Sequence, residues 1–125
     1  MATVEVTSQN FEELVGSNDV VLIDFWAAWC GPCRSFAPVY EKISTQHPEI
    51  LFGKVDTEAQ QELAGSFNIM SIPTLMVIRE GVVLYSQAGA LPEKALADLV
   101  DQTLKIDMVE VHQQLADASP EAVQQ

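Results

Sequence analysis

The sequence predicts one α/β domain, a central mixed β-sheet flanked by helices, followed by a C-terminal helical extension. Three observations carry that expectation. Apolar runs of strand length alternate with segments of helical character, in the order β-α-β-α-β-α-β-β-α. One run, Val20-Val21-Leu22-Ile23-Asp24-Phe25-Trp26, is apolar on both faces, as a central parallel strand covered on both sides must be. The chain has 125 residues, 48% of them hydrophobic, which is one domain's length with enough apolar material for a core that needs no disulfide staple.

Val4 to Val6 reads as a short strand. Thr7 or Ser8 caps a helix that runs through Gly16, with Glu12 and Glu13 in its first turn, where the helix dipole favours acids. Asn18-Asp19 turns the chain into Val20 to Trp26. Gly31 and Pro32 open the next helix, which reaches about Gln46; proline is tolerated there because its missing N–H has no helical partner. Pro38, further in, predicts a kink. Ile50 to Asp56 is a second apolar strand and Ala59 to Ser66 a short helix. After Pro73, Thr74 to Ile78 is a strand, and Arg79-Glu80-Gly81 turns it into an antiparallel partner, Val82 to Tyr85.

Pro92 starts the final helix. Leu96, Val100, Leu104, Met108, Val111 and Leu115 form one apolar stripe, with no proline before Pro120. Unbroken from Pro92 to Ala118, this helix would run about 40 Å at 1.5 Å per residue, longer than a small domain needs. The expected division is a domain over residues 1–105 and an extension over 106–125, helical and then disordered. The stripe beyond Leu104 needs cover from this domain, a second copy or another protein. The alternative is a frayed acidic tail. A packing or dimerising extension is the working expectation.

There are 18 acidic residues against 6 basic, a formal net charge of −12. A field of that sign repels phosphate backbones and anionic headgroups, which argues against nucleic-acid and membrane-surface roles. Met1 to Phe11 is polar and does not read as a secretory signal, and no apolar run approaches the roughly 18 residues of a bilayer span. A cytoplasmic, reducing setting is the default expectation, and there a C-x-x-C pair is catalytic or metal-binding rather than structural.

The only cysteines are Cys30 and Cys33, in Trp29-Cys30-Gly31-Pro32-Cys33. Neighbouring helical positions hold the two Cα atoms within bonding range, so the pair can pass between dithiol and disulfide with little backbone movement. A loop this short gains least from closure, which disfavours a stabilising role. Thiolate is the nucleophile, and Cys30 falls just before the helix, where unpaired N–H groups and the positive dipole end converge. Cys30 is therefore the expected attacking nucleophile and Cys33, one turn further in and more shielded, the resolving thiol. Zinc would need four ligands, and besides carboxylates only His47 and His112 are available, neither at metal-site spacing. Covalent haem would need a His after Cys33, where Arg34 stands. No metal is expected.

Phe25-Trp26-Ala27-Ala28-Trp29-Cys30-Gly31-Pro32-Cys33 resembles the active-site signature of the thioredoxin family, and Ile72-Pro73-Thr74 and Gly89-Ala90 match two further loops of that family in order. The likeness covers roughly Val4 to Leu104. It departs at Ala88, where many thioredoxins have Val, and at Thr57-Glu58-Ala59, which lacks a common Asn-Pro. The resemblance implies the thioredoxin fold and a cytoplasmic protein-disulfide reductase with no bound cofactor. Its redox-active centre would be the Cys30–Cys33 disulfide, serving electron transport and cell redox homeostasis. Electrons would come from NADPH through a thioredoxin reductase. Clients would be disulfide-bearing proteins such as peroxiredoxins, methionine sulfoxide reductases and ribonucleotide reductase. The chain has no nucleotide-binding loop of its own.

The resemblance also implies supporting roles. Asp24, in the middle of an apolar strand, should have its pKa raised by desolvation and act as proton acceptor for Cys33; the plainer reading is a strand-end acid reaching solvent. Lys54 would sit near Asp24 and pull that pKa back down, or else be an ordinary exposed strand residue. Family likeness implies a cis Ile72-Pro73 bond facing the cysteines, with Ile72 backbone groups open to an extended substrate. Trp29, Gly31, Pro32, Ile72, Pro73, Gly89 and Ala90 are the expected substrate-binding residues. Two other functions stay open: a binding module that holds clients in its groove, and an oxidase or isomerase that differs in redox poise.

Overall fold

The computed structural model describes residues 2–124, with side chains through Ala118. Its elements are β1 (Thr3–Glu5), α1 (Phe11–Ser17), β2 (Val20–Trp26), α2 (Gly31–Gln46), β3 (Leu51–Asp56), α3 (Gln61–Ser66), β4 (Thr74–Arg79), β5 (Val82–Ala88), α4 (Glu93–Lys105) and α5 (Met108–Gln124). The sheet order is β1-β3-β2-β4-β5. β1, β3 and β2 run parallel, whereas β4 is antiparallel to β2 and to β5. The mixed sheet and flanking helices expected from the sequence are present, and so is a C-terminal helix.

β2 lies at the centre and is buried along nearly its whole length, as is its antiparallel neighbour β4. Alternation sends its side chains to two separate cores. Val20 and Leu22 meet Phe36, Tyr40 and Ile43 of α2 and Leu96 and Val100 of α4 on one face. Val21, Ile23 and Phe25 meet Leu63 and Ala64 of α3 and flanking α1 side chains on the other. The same parity puts Asp24 on the α2 side. Gly53 in β3 serves close packing: a Cβ there would stand 2.5 Å from Val6 Cγ2 and 3.4 Å from the Leu22 carbonyl oxygen. Its own carbonyl accepts the Tyr40 hydroxyl at 2.8 Å.

The start of α1 differs in detail from the sequence reading. The helix begins at Phe11, but Thr7 still caps the turn leading into it: Thr7 Oγ1 accepts the Asn10 N–H at 3.3 Å, while Asn10 Oδ1 accepts the Thr7 N–H at 2.7 Å. This is the reciprocal logic of a capping box. Pro38 lies inside α2, where its ring leaves the Arg34 carbonyl without its helical donor.

The long final helix is divided. Ile106 takes an extended backbone (ψ 135°) and ends α4, and Asp107 Oδ1 accepts the N–H groups of Val109 (3.0 Å) and Glu110 (3.2 Å) to start α5. Arg79 seals the other side of the break, donating from Nη1 to the carbonyls of Thr103 (2.8 Å) and Ile106 (3.0 Å). The extension therefore turns back onto the domain. Met108 is buried, and His112 Nε2 lies 2.7 Å from Glu80 Oε1 on the β4–β5 turn. The sequence expectation of a disordered end concerns residues whose side chains, and in Gln125 the whole residue, lie outside the described ones.

Candidate active site

The end of β2 and the start of α2 form one piece of the site. The strand stops at Trp26, and Ala27, Ala28 and Trp29 carry the chain to Cys30, the N-cap of α2. Cys30 Sγ accepts the Cys33 N–H at 3.1 Å, so a sulfur takes the role that a Ser or Asp oxygen usually fills. Any negative charge on that sulfur is stabilised by the helix N-terminus. Cys30 and Cys33 are joined as a disulfide with Cα atoms 5.2 Å apart. Gly31 and Pro32, both exposed, form the first helical positions.

The expected difference in shielding is absent, since both cysteines are buried, Cys30 at 4% and Cys33 at 3% exposure. Their surroundings differ more. Cys30 Sγ lies 3.8 Å from the Ile72 carbonyl oxygen, a van der Waals approach in the disulfide form. The Ile72-Pro73 peptide is cis, and among the described residues the Ile72 N–H and C=O have no backbone partner. Gly89, at φ +113°, donates its N–H to the Pro73 carbonyl at 2.8 Å, which holds Gly89-Ala90 against the proline.

Asp24 is fully buried, and neither carboxylate oxygen has a hydrogen-bond partner among the described residues. Burial raises its pKa from 3.8 to about 7, against the downward pull of the Lys54 charge. Lys54 is the direct neighbour of Asp24 across the β2–β3 pairing, and its Nζ stands 5.0 Å from the centre of the Trp26 ring. Tyr40, on the buried face of α2, has its hydroxyl pKa pushed well above the ordinary value, first by burial and then by the Asp24 charge.

Beside the disulfide lies an open groove of about 540 Å³, lined by Trp29 and Ile72 together with Thr57, Glu58, Ile69 and Met70. Trp29 is 67% exposed, so core packing does not account for it. Of the expected substrate-binding residues, Trp29 and Ile72 line this groove, whereas Gly89 and Ala90 border Pro73 outside it. Ile69, Met70 and Glu58 were missing from the sequence reading. The signal for the first two is an apolar Ile69-Met70 pair in a segment without helical or strand periodicity. Among the described residues no group of three or more His, Cys, Asp or Glu is arranged to hold a metal.

Residues 2–102 match the family model described as Thioredoxin. The chain belongs to the thioredoxin family. A putative thioredoxin 2 of Streptomyces coelicolor is 55% identical over 121 residues, covering 97% of this chain and 90% of the relative. The thioredoxin of Bacillus subtilis is 44% identical over 105 residues, 83% of this chain and all (100%) of the relative. A solved thioredoxin mutant from Halobacterium salinarum superposes with a TM-score of 0.78 at 31% identity, over 84% of this chain and 93% of that one. With the Cys30–Cys33 disulfide at the helix tip, family membership makes the protein a thiol–disulfide oxidoreductase, a protein-disulfide reductase that carries a redox-active disulfide and no prosthetic group. Thioredoxin-family proteins work with a thioredoxin reductase and disulfide-bearing clients. Among the described residues no helix is long and apolar enough to cross a membrane.

Proposed function

We propose that Cys30 attacks client disulfides and that Cys33, assisted by Asp24, resolves the product. The Cys30 thiolate bonds to one client sulfur and expels the other as a thiolate, which takes up a proton. Cys33 then gives its proton to the Asp24 carboxylate and attacks Cys30 Sγ. The mixed disulfide breaks, the Cys30–Cys33 bond forms, and the second client thiolate leaves and is protonated. Two electrons and two protons pass to the client. The observation that carries this reading is the Cys30 sulfur seated as N-cap of α2, 3.1 Å from the Cys33 N–H.

A carboxyl with a pKa of about 7 is present in both forms at neutral pH, which suits it to accept and return a proton. Lys54 tunes that value from the adjacent strand. Trp29, Gly31, Pro32, Ile72, Pro73, Gly89 and Ala90 form the surface that meets the client, with Ile72 supplying strand-like backbone pairing. The pair is re-reduced by NADPH through a flavin-dependent reductase, in a cytoplasmic setting.

Insulin reduction tests the assignment. Cys30→Ser should abolish it, and full activity in that variant overturns the catalytic reading in favour of a binding module. Cys33→Ser should instead stall as a mixed disulfide visible by mass spectrometry. Equilibration with glutathione separates a reductant from an oxidase or isomerase by its potential.

We also propose that α5 pairs with a second copy, because Val109 in its first turn is 78% exposed. Val109→Asp should then leave a monomer where the unaltered chain sediments as a dimer; a monomeric unaltered chain removes the idea.

A further inference from the structure

The groove beside the disulfide has a chemical character that disulfide exchange alone does not require. Its lining is rich in apolar side chains, Trp29, Ile69, Met70 and Ile72; Trp29 precedes Cys30, and the Ile72 carbonyl oxygen lies 3.8 Å from the Cys30 sulfur. Met70 is 92% exposed, an uncommon position for an unbranched thioether that can mould itself to a partner. The one charged lining residue is Glu58. Its carboxylate makes no hydrogen bond or ion pair among the described residues, and no Lys or Arg lines the groove. Arg34, the cation next to the cysteines in sequence, donates to the Ala28 carbonyl at 2.9 Å and does not line the groove.

Glu58 is also fixed in place. Its N–H donates to Asp56 Oδ1 at 2.9 Å, and the preceding Thr57 is tied to the Trp26 carbonyl by both N–H and hydroxyl, at 2.9 and 3.1 Å. The carboxylate is thus presented from a loop anchored to the end of β2.

We propose that this groove selects clients whose extended segment bears an apolar side chain beside the reactive cysteine and a Lys or Arg close by, the apolar group on Trp29 and Met70 and the cation on Glu58. This specificity rests on the oxidoreductase assignment and adds a client class to it.

The test uses disulfide-linked peptides with Leu next to the cysteine and Lys, Gln or Glu two or three residues away. They are reduced by the full chain at low ionic strength, with dithiothreitol to recycle the pair. Exposed ion pairs are weak, so the Lys peptide should exceed the Glu peptide in kcat/KM by about fivefold, mostly through KM, and salt should shrink the ratio. Glu58→Lys should reverse the order. Asp101→Lys makes the same change in net charge on α4, across the sheet from α3, and should preserve it. Exchanging Leu for Ser in the peptide should raise KM, and Met70→Ser should blunt that difference. Equal rates on the three charged peptides, or an Asp101→Lys effect as large as that of Glu58→Lys, overturns the proposal and leaves the oxidoreductase reading intact. Failure to reduce any peptide overturns both.

Discussion

Asp24 should make the protein less stable as the pH rises from about 4 to 7. Below this range the carboxyl is protonated in the folded and unfolded chains alike and contributes nothing. Within it, the unfolded chain ionises while the folded chain keeps its proton, because burial has raised the pKa from 3.8 to about 7. The unfolded state then binds fewer protons, so stability falls with rising pH and levels off above 7. A gap of about three pKa units at 1.36 kcal/mol each amounts to about 4 kcal/mol at full development, of which about 1.5 is already present at pH 5. Asp24→Asn removes the titration while nearly preserving shape. Its stability relative to the unaltered protein should therefore grow by about 2.5 kcal/mol between pH 5 and pH 8. Urea unfolding of the oxidised proteins at several pH values measures this. The buried amide carries a penalty of its own, so the slope is the diagnostic, not the offset. A difference that does not change with pH would refute the reasoning.

Three further outcomes follow from the packing around the site. Lys54→Met takes away the charge that restrains Asp24, so the fall in stability should extend above pH 7; an unchanged window would show that the two groups do not communicate. Gly53→Ala forces a Cβ to 2.5 Å from Val6 Cγ2 in a fully packed core, and should lower stability by about 1–3 kcal/mol in urea unfolding. Arg79→Met strips two donors from the carbonyls of Thr103 and Ile106, at an expected loss of about 1–3 kcal/mol, with faster amide exchange at the α4–α5 junction as its local signature.

Much of this architecture could be read from local signals. β2 was recognisable end to end because a strand covered on both faces has no polar interruption except the informative one, Asp24. α2 was bounded by Gly31-Pro32 at its start and by His47-Pro48 after Gln46. The division of the last helix was not foreseen, since its apolar stripe runs straight through Ile106 and Asp107. Periodicity alone does not see a cap, yet Asp107 followed three residues later by Glu110 is a start signal of the kind that Thr7 and Asn10 supply before α1. At the site, Cys30, Cys33 and Asp24 stand out because each residue type is unusual in its setting. Glu58 is ordinary in sequence and Met70 is marked only by the apolar Ile69-Met70 pair, and it is the fold that brings both beside Trp29.

The bond from Arg79 to the break between α4 and α5 has a directional consequence. β4 runs from Thr74, next to the cis proline at the reactive end, to Arg79 and the turn where His112 meets Glu80. At about 3.3 Å per residue, those ends stand some 17 Å apart. The extension is thus rooted at the rear of the molecule. Whatever α5 comes to hold, it grips from behind, and the redox face is left open to approach.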